Sequence, residues 1–437
     1  MSAPSAEAIP AMDLTLHIEG PAAGGSSIAR HEGQVVFVTG AIPGETVRAR
    51  TEAGSAAKFL RADVTEVLEV SEHRVRDRRE QFLAEDAQNP RLFGGMEFAH
   101  VDLAHSRELK AQALRDQLSR IGHIDRSVDV AAAPGETTGL NWRTRVQLAV
   151  DEHGRLGMLA PRSHDVVPLV SAPLATSAIA EVGLTSLRLP GADRLEFAWS
   201  GDRGAVIVRG DCDPSALTDL AQALPAQWSV LADTRNGSGR KRISTKGGHT
   251  KLSVVRGEDQ LIEKVAGRDY RVAADGFWQV HEQAPKLLSA QVNAVLSGKT
   301  QMITDLFCGV GLLGISAADA TGARLYGVEG AKSAIENAKV NAKGLNAAFD
   351  ASRADRVTIP DSDVIVLDPP RSGAGKAVTR ALLESSAKTI VYVSCDAATL
   401  ARDLAVLVDG GFSIESLRGF DLFPLTAHLE SVTVLRR

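Results

Sequence analysis

Apolar residues recur along this chain in three rhythms, and each predicts a different kind of element. Between residues 14 and 68 they alternate in short runs: Leu14-Thr15-Leu16-His17-Ile18, Gln34-Val35-Val36-Phe37-Val38, Val47-Arg48-Ala49-Arg50 and Ala62-Asp63-Val64-Thr65-Glu66-Val67-Leu68. Gly24-Gly25 and Ile42-Pro43-Gly44-Glu45 punctuate them as turns. Alternation of period two broken by glycine predicts a small β-barrel. From Leu103 to Gly122 the period lengthens, with Leu109, Ala113, Leu118 and Ile121 at helical spacing and Gly122 as a stop. Residues 128–264 return to strands and turns, the clearest strands being 146–150 and 205–208. From Met302 onward, strand, glycine loop and helix repeat, which signals a doubly wound parallel sheet of the α/β class. The expected domains are therefore a barrel over residues 9–70, a β-rich middle unit over 80–264 and an α/β unit over 265–437. Helix 103–122 is expected to pack on the last of these.

Composition agrees with this division. At 437 residues the chain calls for about three domains by length. Charged residues make up 24% and hydrophobic ones 44%, with no apolar run long enough to cross a bilayer and no basic-then-apolar leader at the N-terminus. A cytoplasmic monomer without a membrane partner is the expectation. The cysteines Cys212, Cys308 and Cys395 lie far apart without C-x-x-C spacing, which argues against a disulfide framework or a structural zinc site. The formal net charge of −5 leaves any nucleic-acid surface to local cationic clusters. Three clusters qualify. His73-Arg74-Val75-Arg76-Asp77-Arg78-Arg79 reads equally as a solvated face or a phosphate track. Asn141-Trp142-Arg143-Thr144-Arg145 and the glycine-interleaved Arg240-Lys241-Arg242, Lys246, Lys251 region read as a mobile loop or an RNA-facing one.

The chemistry sits where apolar strands end. Ile390-Val391-Tyr392-Val393-Ser394-Cys395-Asp396 is a buried-type strand that stops at a thiol. In open α/β sheets ligands meet the carboxyl ends of strands, so Cys395 is a candidate nucleophile rather than an inert small hydrophobe. Ile303-Thr304-Asp305-Leu306-Phe307-Cys308-Gly309-Val310-Gly311-Leu312-Leu313-Gly314 runs from a strand into a glycine loop and a helix, and Glu329 ends the next strand. Gly309, Gly311 and Gly314 satisfy G-x-G-x-x-G, open by itself between a nicotinamide dinucleotide and S-adenosylmethionine. Asp305 favours the second, because a carboxylate there repels a pyrophosphate but suits an ammonium and a sulfonium. A third acid-ended strand, 363–367, leads into Asp368-Pro369-Pro370-Arg371-Ser372-Gly373, a proline-stiffened loop in which Arg371 leans towards pairing with phosphate. Finally Phe423-Pro424-Leu425-Thr426-Ala427-His428-Leu429-Glu430 opens a last strand, and period two places His428 and Glu430 on one face.

Together, DLFCGVG, DPPRSG, VYVSCD and FPLTAHLE resemble, in order, the motifs of the S-adenosylmethionine-dependent RNA 5-methyluridine methyltransferases. GSSIARHEGQVVFVTGAIPGETV resembles their N-terminal TRAM domain, an OB-like RNA-binding barrel. The likeness covers nearly the whole chain. It implies a Rossmann-like methyltransferase domain, transfer of a methyl to C5 of a uridine in rRNA or tRNA, and RNA as partner. It also implies Cys395 as nucleophile, Glu430 as base, and a cofactor site lined by Gln279, Phe307, Leu312, Glu329, Asp355 and Asp368, beside Asp305, Gly309 and Gly311. His281 stands where the family usually has Asn, and Ala397 where Pro is common. Several family members carry a four-cysteine iron–sulfur cluster. Here Phe93-Gly94-Gly95-Met96 and Ala172 occupy ligand positions, so no cluster is expected and packing should hold that junction instead. Two rival readings are an exocyclic-amine methyltransferase, which leaves Cys395 without a task, and an inactive RNA-binding protein.

Overall fold

The computed structural model describes residues 11–52, 58–84, 92–233 and 252–437. The basic region at Arg240 to Lys251 lies outside the described residues. Alternation builds the first unit: β1 (Asp13–Pro21), β2 (Ser27–His31), β3 (Gln34–Thr39), β4 (Thr46–Thr51) and β5 (Phe59–Glu69) close into a barrel in the order β1-β2-β3-β5-β4. Its inward residues, among them Leu16, Ile18, Val36, Val38 and Val47, form one core. The polar alternates face out, as one buried barrel face requires.

Helix α1 (Leu103–Gly122) follows, N-capped by Asp102, whose carboxylate accepts from the His105 amide. It packs along the last long helix of the chain, with Leu114 and Leu118 in the same core as Leu400, Leu404 and Leu407. At its end a Cβ on Gly122 would lie 2.9 Å from the Ala401 carbonyl oxygen, so only glycine permits this approach.

The short strand β6 (Val130–Ala132) joins the sheet of the C-terminal unit, whereas composition grouped it with the middle region. The middle region itself comprises β7 (Arg145–Val150), β8 (Leu156–Leu159), β9 (Val166–Pro168), the turn-like α2 (Ser177–Ala180), β10 (Ala192–Ser200), β11 (Arg203–Gly210), α3 (Pro214–Ala223), β12 (Trp228–Ala232) and β13 (Ser253–Arg256). These strands form one sheet in the order β13-β12-β11-β10-β7-β8-β9. A hairpin of β14 (Gln260–Val265) and β15 (Arg268–Ala273) comes next, so a division at residue 264/265 falls inside β14.

The remainder alternates as expected: α4 (Ala284–Asn293), β16 (Met302–Leu306), α5 (Leu312–Thr321), β17 (Arg324–Val328), α6 (Lys332–Asn341), β18 (Ala347–Asp350), β19 (Val364–Leu367), α7 (Gly375–Glu384), β20 (Thr389–Ser394), α8 (Ala397–Asp409), β21 (Ser413–Asp421) and β22 (Glu430–Arg436). The strand order is β18-β17-β16-β19-β20-β22-β21-β6. β22 alone runs against its neighbours. Separate apolar clusters cover the two faces, one with Leu288, Ile315 and Leu325, the other with Leu114, Leu382 and Leu404. The chain reverses direction across the sheet between β16 and β19, which opens a crevice at the carboxyl edge.

Two junctions explain residues whose purpose the sequence left open. Arg74 grips Glu45, which is fully buried, through Nε–Oε1 at 2.6 Å and Nη2–Oε2 at 2.7 Å. Arg79 pairs bidentately with Asp77, and Arg78 donates to the carbonyls of Ala99 and Val101. Arg74 therefore staples the barrel to this run, Arg78 and Arg79 fix the run to residues 93–101, and Arg76, held by Glu80, stays exposed. At the second junction Phe93 and Met96 are fully buried against Trp142, Leu174 and Leu425, and Ala172 is buried in the neighbouring core. Apolar packing holds that junction together.

Candidate active site

Four loops at one edge of the C-terminal sheet carry the candidate chemistry. Strands β16, β19 and β20 are parallel, so Phe307, Asp368 and Cys395, each following its strand, emerge along the same rim. The reversed strand β22 brings its first residue, Glu430, to that rim as well. Ser394 pairs with Ser431, so the antiparallel register sets Cys395 beside Glu430. Sequence period placed His428 and Glu430 on one face. His428 instead precedes the strand, in a loop where Leu425 has φ 64°, and the alternation does not reach it.

The glycine loop is held by acids. Phe307 sits at φ 62°, a left-handed conformation that costs a bulky residue about 1–2 kcal/mol and must be enforced by its surroundings. Asp305 is buried; its Oδ2 accepts from the Gly314 amide at 2.8 Å, and its Oδ1 has no partner. A Cβ on Gly314 would lie 2.7 Å from that Oδ2, so the third glycine of the motif is there to let α5 close on the strand. Glu329 accepts from the Gly309 amide at 3.2 Å and from the Ala331 amide at 2.9 Å, tying β17 to the loop. Leu312, at the head of α5, is buried, and its carbonyl receives the Tyr270 hydroxyl.

Gln279 reaches in from the segment after the β14–β15 hairpin, and its Nε2 donates to Asp368 Oδ2 at 3.2 Å. Asp355 stands apart from this group. It is exposed, in a turn after β18, and pairs with Arg353. Phe277, two residues before Gln279, is 72% exposed, unusual for an aromatic ring this close to a buried site. No local pattern singles it out from Trp278, which is buried.

The loop at Cys395 and the proline loop are tied to each other. Asp396 caps α8, accepting from the Thr399 amide at 2.8 Å, while the Thr399 hydroxyl donates to the Arg371 carbonyl at 3.1 Å. Asp403, one turn further along α8, receives the Tyr392 hydroxyl from β20 and the Ala374 amide from the proline loop, both at 2.8 Å. On the other side Lys110 of α1, almost wholly buried, pairs with Asp421 at 2.6 Å and donates to the Phe423 carbonyl, fixing the start of the loop that ends in Glu430. Lys110 left no mark in the sequence, because its partner lies more than 300 residues away.

Among the described residues no cation is paired with the buried acids of the rim. Burial raises the Asp305 carboxyl to about 8, with Asp368 and Glu329 adding to the effect. Burial also raises Asp368 and Glu430, which repel each other. The Cys395 thiol is pushed up to about 12, first by burial and then by Glu430 and Asp368, with Arg371 opposing. Cys308 is raised by burial and by Asp305 and Glu329, and lies under the glycine loop. Acids this enclosed, one of them with an unpaired oxygen, suit a ligand that brings positive charge.

Comparison with known proteins agrees with this geometry. The model of the TRAM domain matches residues 13–65, that of the methyltransferase small domain residues 279–392, and that of tRNA (Uracil-5-)-methyltransferase residues 350–437. An uncharacterized RNA methyltransferase of Streptomyces avermitilis is 36% identical, over 95% of this chain and 96% of its own length. A second, from Bifidobacterium longum, is 33% identical over 98% and 97%. The chain belongs to a family of RNA methyltransferases with an N-terminal TRAM domain, and its C-terminal residues match the tRNA (Uracil-5-)-methyltransferase model. The fold is also that of the tRNA (uracil-54, C5)-methyltransferase of Pyrococcus abyssi solved with S-adenosyl-L-homocysteine, at a TM-score of 0.72 and 20% identity, covering 97% of this chain and 100% of that one. This family's methyltransferase domain is therefore the unit behind the rim, and no helix among the described residues is long and apolar enough to cross a membrane.

Proposed function

We propose that this methyltransferase transfers a methyl group from S-adenosylmethionine to C5 of a uridine in RNA, through a covalent bond between Cys395 and C6. The observation that carries the reading is the register of β20 and β22, which makes a thiol and a buried carboxyl neighbours at the sheet edge. An exocyclic-amine methyltransferase has no use for that pair.

The acids fit the cofactor. Asp305, Glu329 and Asp368, with Gln279, Phe307, Leu312 and the backbone at Gly309 and Gly311, would hold it in the crevice, and Asp355 would join them only by turning from Arg353. When bound, S-adenosylmethionine supplies an electrophilic methyl and a positive sulfonium. The protein's own groups do the rest. Cys395 gives its proton to the Asp368 carboxylate, one of the acids whose charge bears on the thiol together with Glu430 and Asp396, and Glu430 stays ionised for the later step. The thiolate adds to C6, which places electron density on C5 for methylation. Glu430 then takes the proton from C5, the C6–S bond breaks to release the thiolate, and the proton held on Asp368 returns to sulfur and restores the thiol. A raised carboxyl pKa suits that exchange, because a base tuned upward holds the proton it removes. Uracil is reachable only once it leaves its stack, and the exposed Phe277 ring offers a face for a displaced base.

RNA containing 5-fluorouridine tests the reading, since fluorine at C5 cannot leave as a proton and the adduct stays trapped. Wild-type protein should form a stable protein–RNA adduct with S-adenosylmethionine present, and Cys395→Ala should form none and transfer no methyl. An adduct surviving in Cys395→Ala would exclude Cys395 as the nucleophile.

A further inference from the structure

The lip of the site carries cations that no acid neutralises. Arg371 leaves the proline loop, and one of its Nη groups faces His428 Nε2 at 3.2 Å. Burial and the adjacent guanidinium lower the His428 pKa, and the guanidinium, which can only donate, gives its N–H to the ring nitrogen. Arg143 approaches from the segment before β7. Its Nε donates to the Arg145 carbonyl at 2.9 Å, and its guanidinium carbon lies 5.6 Å from the centroid of the Trp142 ring. Beyond burial, the one charge that bears on Arg143 is that of Arg371. Among the described residues neither arginine forms an ion pair with a carboxylate.

This is a costly arrangement. Two guanidinium groups that repel each other, one of them half-buried, are retained against the general rule that enclosed charges are paired. Several other enclosed arginines have acids, among them Arg74 with Glu45, Arg79 with Asp77, and Arg209 with Glu196 and Asp275, while Arg78 is taken up by two carbonyls. The Arg143–Arg371 pair lies beside Cys395, whose thiol feels the Arg371 charge.

We infer that Arg143 and Arg371, with His428 orienting Arg371, form a clamp for one phosphodiester of the RNA strand, the one that carries the target nucleotide into the site. The planar, forked guanidinium is the side chain suited to this, since it presents parallel N–H donors to two phosphate oxygens. The clamp rests on the reading of the rim as an RNA methylation site and adds to it the element that grips the substrate backbone. It also accounts for the Thr399 hydroxyl, which fixes the Arg371 carbonyl to the helix that starts just after the nucleophile.

Salt dependence of binding tests the clamp, with unmodified tRNA and rRNA transcripts as probe and S-adenosylhomocysteine affinity as the fold control for each variant. Arg143→Gln and Arg371→Gln should each weaken RNA binding ~3- to 10-fold and flatten the slope of log affinity against log salt by about 0.7, one phosphate contact on a single strand. Because they share one phosphate, the double variant should flatten the slope no further than a single one. Unchanged slopes in variants that still bind S-adenosylhomocysteine, while wild type methylates the transcripts, would overturn the clamp alone. Wild type that binds RNA but transfers no methyl would overturn the underlying reading and the clamp with it. If inorganic phosphate raised wild-type melting temperature, an effect lost in the double variant, while RNA slopes stayed equal, the site would be one for free anions and the proposal would fail.

Discussion

Two parts of this molecule bury charge, and they do so in opposite ways. Where the barrel meets the next segment, each enclosed acid has an arginine: Glu45 is gripped by Arg74 and Asp77 by Arg79, and both carboxyls lie below their ordinary range despite burial. At the rim of the candidate site, Asp305, Asp368 and Glu430 are enclosed with no cation among the described residues paired to them and lie above theirs. The first arrangement is complete within the chain and serves structure. The second is incomplete until something positive arrives, and the proposed cofactor, with its sulfonium and ammonium, would supply that charge. Burial is common to both, so the presence or absence of a partner tells joint from site.

The sharpest way to break this comparison is to remove a partner from the joint. Arg74→Met leaves Glu45 buried and unpaired and should destabilise the protein by about 3 kcal/mol, read by denaturant unfolding. At the rim the same kind of experiment should have the reverse effect on stability. Asp305→Asn removes an acid that is costly to ionise and keeps an oxygen for the Gly314 amide, so the free protein should be as stable or more stable by about 1 kcal/mol. Its affinity for S-adenosylmethionine, measured by calorimetry, should fall about tenfold or more.

A smaller effect follows from pH. A carboxyl raised in the folded state stabilises fully below its unfolded pKa, and that contribution is lost as pH rises through the folded value. Burial raises Asp305 to about 8 and Glu263, weakly countered by Arg145, to about 7. His100 and His281 are lowered to about 4, again chiefly by burial. Their loss of stability therefore falls on the acid side, between the usual histidine range and about 4. Between pH 6.5 and 8.5 the carboxyls dominate, and stability of the free protein should decline by no more than about 1.4 kcal/mol per group and unit. The decline should be shallower in Asp305→Asn. A flat wild-type profile would mean that the rim acids are not held protonated.

What could be read from the sequence was whatever local pattern encodes. The barrel strands, the glycine loop and the strand ending at Cys395 all announce themselves by period, glycine spacing and apolar runs, because their burial is decided within a few residues. The partners of Lys110 and the docking of β6 on β21 depend on contacts across the whole chain, and no local period carries them. The arginines at residues 74–79 show the same limit. Charge density suggested solvent or phosphate, yet three of them turn inward to carboxylates and carbonyls whose positions only the fold sets. Among the site residues, Asp305, Glu329 and Asp368 were visible as acids ending successive strands. Their lack of cationic partners was not, since a missing neighbour leaves no trace in one dimension. Phe277 and Arg143 belong to the same class, conspicuous only by exposure or by absence of a counter-charge.

The measurement that bears most directly on the account is mass spectrometry of Glu430→Gln incubated with unmodified RNA and S-adenosylmethionine. Without a base to take the C5 proton, the variant should accumulate an adduct in which Cys395 is bonded to a uridine already carrying the methyl group, while turnover drops by about 10²–10⁴-fold. Normal turnover with no adduct would contradict the assignment of Glu430. An adduct on any residue other than Cys395 would contradict the mechanism as a whole.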